Sequence, residues 1–243
     1  MDYKYTATFE APLLSCEINP IALGASLISE ASLKNLEPLI PKDIDYNDNI
    51  DLMGVAFNAA VINQFNKNGD GMDAATAVKY ANNFIHKPTN IEHDKQKVVG
   101  HIVSAGYSNY KSSELIEENR AASMKEPFNI ALGAVLYKTV NSNFTNLVEK
   151  SLDPDSNQYQ KVSASWEVGF NDYVLAVGSD LLSEARIISD PEEISEMRGF
   201  LRSYGGNGQT DKGETIHRLI KGDIYPLGIA YTLNPAANVK GLY

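Results

Sequence analysis

The sequence predicts an α+β fold with an antiparallel β core and helices packed around it. Apolar stretches bounded by turn residues recur along the chain as strands do, and segments with helical spacing of apolar residues lie between them. The chain has no internal repeat, low-complexity tract or Pro/Ser-rich linker. The 243 residues are therefore interpreted as one domain, residues 1–243, in which residues 1–50 form a strand and helix arm and residues 205–215 a mobile loop.

Each element is identified from its own signals. Asp73 and Asp190 each precede a helical stripe as N-caps, and Ser32 begins an early helix that Pro38 is expected to stop. In the first half of the chain the expected elements are a strand within 5–18, that early helix, a polar loop at 43–51, a strand or helix at 52–65, a helix at 74–85, a strand at 97–104 and a charged loop or short helix at 114–125. In the second half they are a strand at 128–140, a helix at 143–152, a strand at 161–170, a hairpin turn at Asn171-Asp172 into a strand at 173–177, a helix from Pro191, and strands at 216–220 and 224–233. The helix from Pro191 is expected to bury Ile194, Met197 and Leu201.

Composition excludes several classes of partner. The chain has 43% hydrophobic residues, enough for a real core, and 21 basic against 31 acidic residues with no Lys/Arg cluster, so nucleic acid and anionic membranes are poor partners. The single cysteine, Cys16, excludes an internal disulfide and a multi-cysteine zinc site. Because no signal-peptide pattern and no run of 18 apolar residues occurs, the chain is expected to be neither exported nor membrane-spanning.

The strand at 161–170 is the segment best suited to carry a functional group. Its alternation assigns five side chains to a core face and three to the opposite face. The opposite face carries Ser163, Ser165 and Glu167, and a rigid, outward-facing position of this kind suits a nucleophile. An ordinary half-exposed strand gives the same pattern. The residues assigned to the core are Val162, Ala164, Trp166, Val168 and Phe170.

Two patterns in the sequence suggest metal sites, a calcium loop and a zinc site, but both patterns are incomplete. Oxygen-bearing residues recur from Asn66 to Asp73, but Ala77 occupies the twelfth position, where a calcium loop needs a bidentate Glu. Three of the four histidines, His86, His93 and His101, are close in sequence, but their spacing matches no zinc pattern. The prediction is therefore no metal and no cofactor.

His93 lies in a polar turn, between the two carboxylates of Glu92 and Asp94. A neutral imidazole there can be oriented, and its protonated form stabilised. A solvated turn histidine is the simpler alternative.

Three motifs in fixed order resemble a known family. They are Asn90-Ile91-Glu92-His93-Asp94 with Val98-Val99-Gly100, then Val162-Ser163-Ala164-Ser165-Trp166-Glu167-Val168-Gly169-Phe170, then Gly228-Ile229-Ala230-Tyr231-Thr232-Leu233-Asn234-Pro235-Ala236. Together they resemble the prohead maturation proteases of tailed bacteriophages, which are similar in fold to the herpesvirus assemblins. The resemblance implies an assemblin-like α+β fold, with an antiparallel β-barrel-like core surrounded by helices. The resemblance extends from about residue 52 to residue 235.

The resemblance implies a serine endopeptidase that cleaves scaffold and major capsid proteins, and itself, inside the assembling prohead in the host cytoplasm. His93 matches the catalytic histidine and Ser165 the nucleophile, with Ser163 as the alternative. The third catalytic residue stays open among His101, Asp94 and Glu167, since Gly228 occupies a position where some relatives have an acidic residue. A homo-oligomer is left open. The alternative function is a non-enzymatic internal head or scaffold-associated structural protein of the same fold.

Overall fold

A computed structural model describes residues 3–11, 34–153, 155–159 and 161–232. Within these ranges the strands are β1 (Tyr5–Ala11), β2 (Leu52–Ile62), β3 (Asp70–Gly71), β4 (Pro88–Ile91), β5 (Asp94–Asn109), β6 (Leu115–Ile116), β7 (Phe128–Tyr137), β8 (Ser163–Val177), β9 (Arg186–Ile188) and β10 (Ile216–Thr232). The α-helices are α1 (Ala74–Tyr80), α2 (Glu118–Ser123), α3 (Ser142–Leu152) and α4 (Pro191–Met197). The 3-10 helices are Glu37–Leu39, Ala81–Phe84, Arg198–Phe200 and Arg202–Tyr204. None of the helices described is long and apolar enough to cross a membrane.

The described strands form a single sheet, so the predicted α+β class is confirmed. Its main path runs β1-β8-β10-β4-β5-β7-β2, and every neighbouring pair on this path is antiparallel except β4 and β10. Within the described strands the sheet does not close into a barrel, because β1 pairs only with β8 and β2 only with β7. Few helices accompany the sheet in the described ranges, and the longest of them has 11 residues. Ala7 of β1 and Phe57 of β2 nevertheless belong to one buried cluster, so the sheet curves around a shared core.

The apolar face of β8 supplies the middle of that core, as its alternation predicts. Trp166 is 1% exposed, and its ring packs against that of Phe84 with centroids 4.7 Å apart. Burial of each large apolar side chain contributes about 1.5–3 kcal/mol. The five residues predicted for this face are all buried: Val162, Ala164, Trp166, Val168 and Phe170.

The predicted hairpin turn at Asn171-Asp172 is wrong, because β8 runs through it without interruption to Val177. Its antiparallel partner is β10, which pairs with β8 from Ile216 to Thr232. Pairing with β10 keeps this segment extended, since Asp172 lies opposite Lys221 and Tyr173 opposite Ile220. The two polar side chains also bind main-chain groups: Asn171 accepts a hydrogen bond from Lys4 N and Asp172 from Tyr173 N, each at 2.8 Å. A local turn signal was thus outweighed by pairing with a distant strand.

The two strands predicted at 216–220 and 224–233 are a single strand, β10. A shift in register between Lys221 and Ile224 accommodates the polar interruption, and Gly222 has a φ of 75° there. Glycine tolerates this left-handed conformation, so the strand bends without ending. The ambiguous segment at 52–65 is a strand, β2.

Helix signals were more reliable at N-termini than at C-termini. Asp73 caps α1 by accepting a hydrogen bond from Thr76 N at 2.8 Å, and Asp190 caps α4 by accepting from two main-chain N–H groups, as predicted. Pro38 does not stop a helix but lies inside the 3-10 helix Glu37–Leu39, where a first turn tolerates proline. α1 is shorter than expected, since it gives way to a 3-10 helix after Tyr80.

Some predictions concern side chains that are only partly buried or residues outside the description. In the stripe predicted after Asp190, Ile194 and Met197 are half-buried, whereas Leu201 is buried. The segment predicted as a mobile loop is held by main-chain hydrogen bonds, including Gly208 N to Phe200 O at 2.9 Å; its mobility stays a prediction. Cys16, Ser32 and residues 233–236 lie outside the described ranges.

Candidate active site

His93 is presented by a tight turn between β4 and β5. Glu92 and His93 form the two-residue connection, and both have positive φ values, 53° and 58°. This is typical of a type I′ hairpin turn, which usually contains Asn-Gly because other residues lose energy in the left-handed region. Strained backbone of this kind is often found at functional sites. The polar turn predicted around His93 is therefore confirmed, with a more demanding geometry than the sequence indicated.

Ser165 lies on β8, separated from the His93 hairpin by β10. Ser163, Ser165 and Glu167 pair directly with Thr232, Ala230 and Gly228 of β10. Directly opposed residues share a face of the sheet, so small residues of β10 lie beside the serine and the glutamate. Space is thereby left above β10 for an imidazole that reaches across from the hairpin.

The structure brings His93 and Ser165 into hydrogen-bond contact, although they are 72 residues apart in the chain. His93 Nε2 lies 2.9 Å from Ser165 Oγ. On the other side of the ring, His93 Nδ1 lies 4.0 Å from Glu167 Oε2, and these two side chains are 33% and 26% exposed. Hydroxyl, imidazole and carboxylate thus stand in the order that nucleophilic catalysis by serine requires.

The serine is not outward-facing and accessible as the strand pattern indicated. Ser165 is 1% exposed, because β8 is paired on both sides, with Glu10 of β1 and Ala230 of β10 opposite the serine, and the imidazole of His93 contacts its hydroxyl. Half-exposed alternation was therefore a wrong expectation for this face of the strand. The hydroxyl sits in a covered, preorganised position.

The remaining sequence-predicted residues lie in other surroundings. Ser163 is equally buried, at 1%, and pairs with Thr232, whereas the hydroxyl that contacts His93 is that of Ser165. His101 Nδ1 is 2.8 Å from the Tyr137 hydroxyl, and burial lowers the pKa of His101, with a smaller effect from His86. Among the three candidates for the third residue, Glu167 is the one that faces His93.

Asp94 follows the histidine directly but contacts a lysine. Its carboxylate is 2.9 Å from Lys97 Nζ, and the hydrogen bond from Lys97 is the main cause that lowers the pKa of Asp94. The side chain next in sequence is thus committed to a surface ion pair. Proximity in sequence was a poor guide here, because a two-residue turn sends neighbouring side chains in different directions.

Sequence reasoning missed residues of the neighbouring strands. Thr232 Oγ1 donates a hydrogen bond to Glu92 Oε2 at 3.0 Å, beside the histidine. Asn90 shares the row of Ser165 and Ala230 and is 8% exposed, and its Oδ1 is buried with no hydrogen-bond partner. Gly228, at a position where the resemblance allows an acidic residue, lies directly opposite Glu167. Only the strand register, which single-sequence patterns do not contain, could have revealed these neighbours.

The described part of the chain contains no cluster of side chains that could hold a metal ion. No three His, Cys, Asp or Glu side chains there lie close enough to hold an ion. In the segment compared with a calcium loop, Asp70 forms a buried ion pair with Arg218 at 2.6 Å, and Asp73 caps α1 and binds Lys221. The carboxylates of that segment therefore have structural partners.

Comparison with known proteins adds no relative: no family model, no curated protein and no solved structure matches the chain. The interpretation of the site consequently rests on its geometry and on the resemblance of its three motifs.

Proposed function

We propose that this protein is a serine endopeptidase in which Ser165 is the nucleophile, His93 the general base and Glu167 the residue that orients the imidazole. The observation that carries the proposal is the 2.9 Å contact between His93 Nε2 and Ser165 Oγ. Two polar residues from distant segments meet across an intervening strand, at a strained turn.

The geometry supports a standard acyl-transfer mechanism. Neutral His93 accepts the Ser165 proton at Nε2 while Oγ attacks the carbonyl carbon of a peptide bond. The imidazolium then protonates the amine nitrogen, the C–N bond breaks, and water attacks the resulting ester by the same route in reverse. The Glu167 carboxylate faces His93 Nδ1 at 4.0 Å in the free protein, which is beyond hydrogen-bond distance. We expect it to accept a hydrogen bond from Nδ1 and orient the imidazole when substrate binds, because catalytic contacts often tighten only then.

The biological setting is proposed from the resemblance to prohead maturation proteases. The substrates are then scaffold and major capsid proteins and the chain itself, cleaved inside the assembling prohead in the host cytoplasm. A homo-oligomer fits this setting as well. The largely antiparallel sheet, whose end strands β1 and β2 contribute to one buried cluster, supports an assemblin-like fold.

A non-enzymatic role is the second candidate, and one observation favours it. Ser165 is 1% exposed, as expected of a hydroxyl that serves only to hold the His93 hairpin on the sheet. An internal head or scaffold-associated structural protein of the same fold has no need to open this site. An enzyme must uncover the hydroxyl when its substrate binds.

Covalent labelling separates the two functions. We expect a fluorophosphonate to modify the native protein once, on the peptide that contains Ser165, and mass spectrometry to locate the added mass. Ser165→Ala is expected to abolish labelling and the cleavage of co-expressed scaffold and capsid proteins. Ser163→Ala is the matched control, since Ser163 lies on the same strand and has the same burial. A native protein that binds scaffold, but is not labelled and does not cleave the scaffold or capsid proteins, would support the non-enzymatic role.

A further inference from the structure

We propose that Glu92 and Thr232 form a clamp that holds the His93 turn in its catalytic position. Both are positioning residues, since they act through His93 rather than on substrate. The inference rests on the proposed peptidase function and extends it to residues outside the Ser165, His93 and Glu167 set. Its physical basis is a pair of hydrogen bonds that tie the residue preceding the histidine to the end of β10.

The clamp has one main-chain and one side-chain contact. Glu92 N donates to Tyr231 O at 2.9 Å, and Thr232 Oγ1 donates to Glu92 Oε2 at 3.0 Å. Two consecutive residues of β10 therefore bind one residue of the turn. The Thr232 residue is buried, at 7% exposed, whereas Glu92, whose carboxylate accepts the hydrogen bond, is an exposed residue of the turn.

The turn needs such a restraint. Regular pairing between β4 and β10 covers only three residue pairs, Thr89 to Ile91, and the turn begins directly after the last of them. Both turn residues occupy left-handed conformations, which are unfavourable for residues other than glycine. Pairing of Ile91 with Asp94 closes the turn but does not fix it against β10, so loss of the clamp lets the turn shift and displaces the imidazole of His93 from Ser165.

β10 also pairs with the strand that carries the nucleophile, so the clamp makes one strand position both catalytic groups. Thr232 pairs with Ser163 and Ala230 pairs with Ser165, while Thr232 binds the residue that precedes His93. The position of Ser165 and the position of the turn are thereby set by β10 residues two apart. Since a misplacement of about 1 Å can cost about 100-fold in rate, a shared reference strand has a direct catalytic effect.

Conservative and disruptive variants at each position test the clamp. Thr232→Val keeps the shape and removes the hydroxyl, whereas Thr232→Ser keeps the hydroxyl. Glu92→Ala removes the acceptor, whereas Glu92→Gln keeps one. We expect Thr232→Val and Glu92→Ala to lower kcat for a peptide substrate by about 10- to 100-fold with KM little changed, and both conservative variants to stay within about threefold of the native enzyme.

A turn remote from the site supplies the matched control. Thr210 Oγ1 accepts a hydrogen bond from Glu214 N at 3.2 Å, so Thr210→Val makes the same chemical change away from His93 and should leave kcat unaltered. The second measurement is the rate of fluorophosphonate labelling at Ser165, which needs the imidazole in place. It is expected to fall in parallel with kcat in Thr232→Val and Glu92→Ala, at a temperature where urea unfolding shows both variants fully folded.

The outcomes distinguish this inference from the proposed function. Native-like kcat and labelling in Thr232→Val and Glu92→Ala, with Ser165→Ala inactive, would overturn the clamp and leave the peptidase intact. Activity that falls only in proportion to the unfolded fraction would also overturn it, because the contacts would then serve stability alone. A native protein with no activity and no labelling would remove the peptidase proposal itself.

Discussion

Replacement of Glu167 by Gln is the sharpest test of how the site works. Gln keeps the size of the side chain and removes its charge. The carboxylate and the imidazole are 4.0 Å apart, a distance at which two unit charges attract by about 1 kcal/mol in water and about 4 kcal/mol at the effective dielectric constant near a protein surface. Because both side chains are partly exposed, the loss of imidazolium stabilisation lies between these values, which corresponds to a decrease in kcat of about fivefold to about 1,000-fold.

The assay is kcat for a peptide substrate at saturation, measured for Glu167→Gln beside Asp94→Asn. Asp94→Asn is the control: it removes the same charge from a carboxylate that is next to His93 in sequence but is bound to Lys97. It should keep kcat within about twofold, as expected for an exposed ion pair. Native kcat in Glu167→Gln would refute the assignment of the third residue, and a larger loss in Asp94→Asn would transfer the role to Asp94.

Three further predictions concern stability. Asp70→Asn leaves Arg218 as an unpaired buried charge and is expected to lower the free energy of unfolding by about 3–5 kcal/mol in urea titrations, whereas an effect below about 1 kcal/mol would contradict a buried ion pair. Burial lowers the pKa of His217 below its usual 6.5, although Asp180 acts in the opposite direction, so the folded state favours the neutral ring. Stability should therefore be full above pH 6.5 and decrease as the pH falls below it. His217→Gln should flatten that decrease in urea titrations across this range. Asp190→Ala removes the N-cap of α4 and should cost about 1 kcal/mol, seen as a lower thermal midpoint, and Glu192→Ala, which leaves the cap in place, should cost less.

The part of the site that depends on local alternation was predictable. The two-residue period assigned Ser165 and Glu167 to one face of β8 and Trp166 to the core, and the structure agrees. Cap residues at Asp73 and Asp190 were equally legible, because an N-cap is an interaction between residues two or three apart.

The rest depended on long-range pairing. The error at Asn171-Asp172 arose because a turn signal is local, whereas the strand that keeps this segment extended comes from residues 216–232. The burial of Ser165 was missed for the same reason, since β1 and β10 enclose it from opposite ends of the described chain. Selection of Glu167 from three candidates required the register between strands, which no periodicity within a single segment contains.

The late position of β10 in the sequence determines when the site of His93 and Ser165 can form during synthesis. This strand follows every other described element in the chain, yet it lies between the hairpin of His93 and the strand of Ser165. During synthesis on a ribosome, the imidazole and the hydroxyl therefore have no common support until residues 216–232 have emerged and inserted. Under the proposed function, an incomplete chain therefore lacks the contact between His93 and Ser165, and we expect it to be inactive until β10 has joined the sheet.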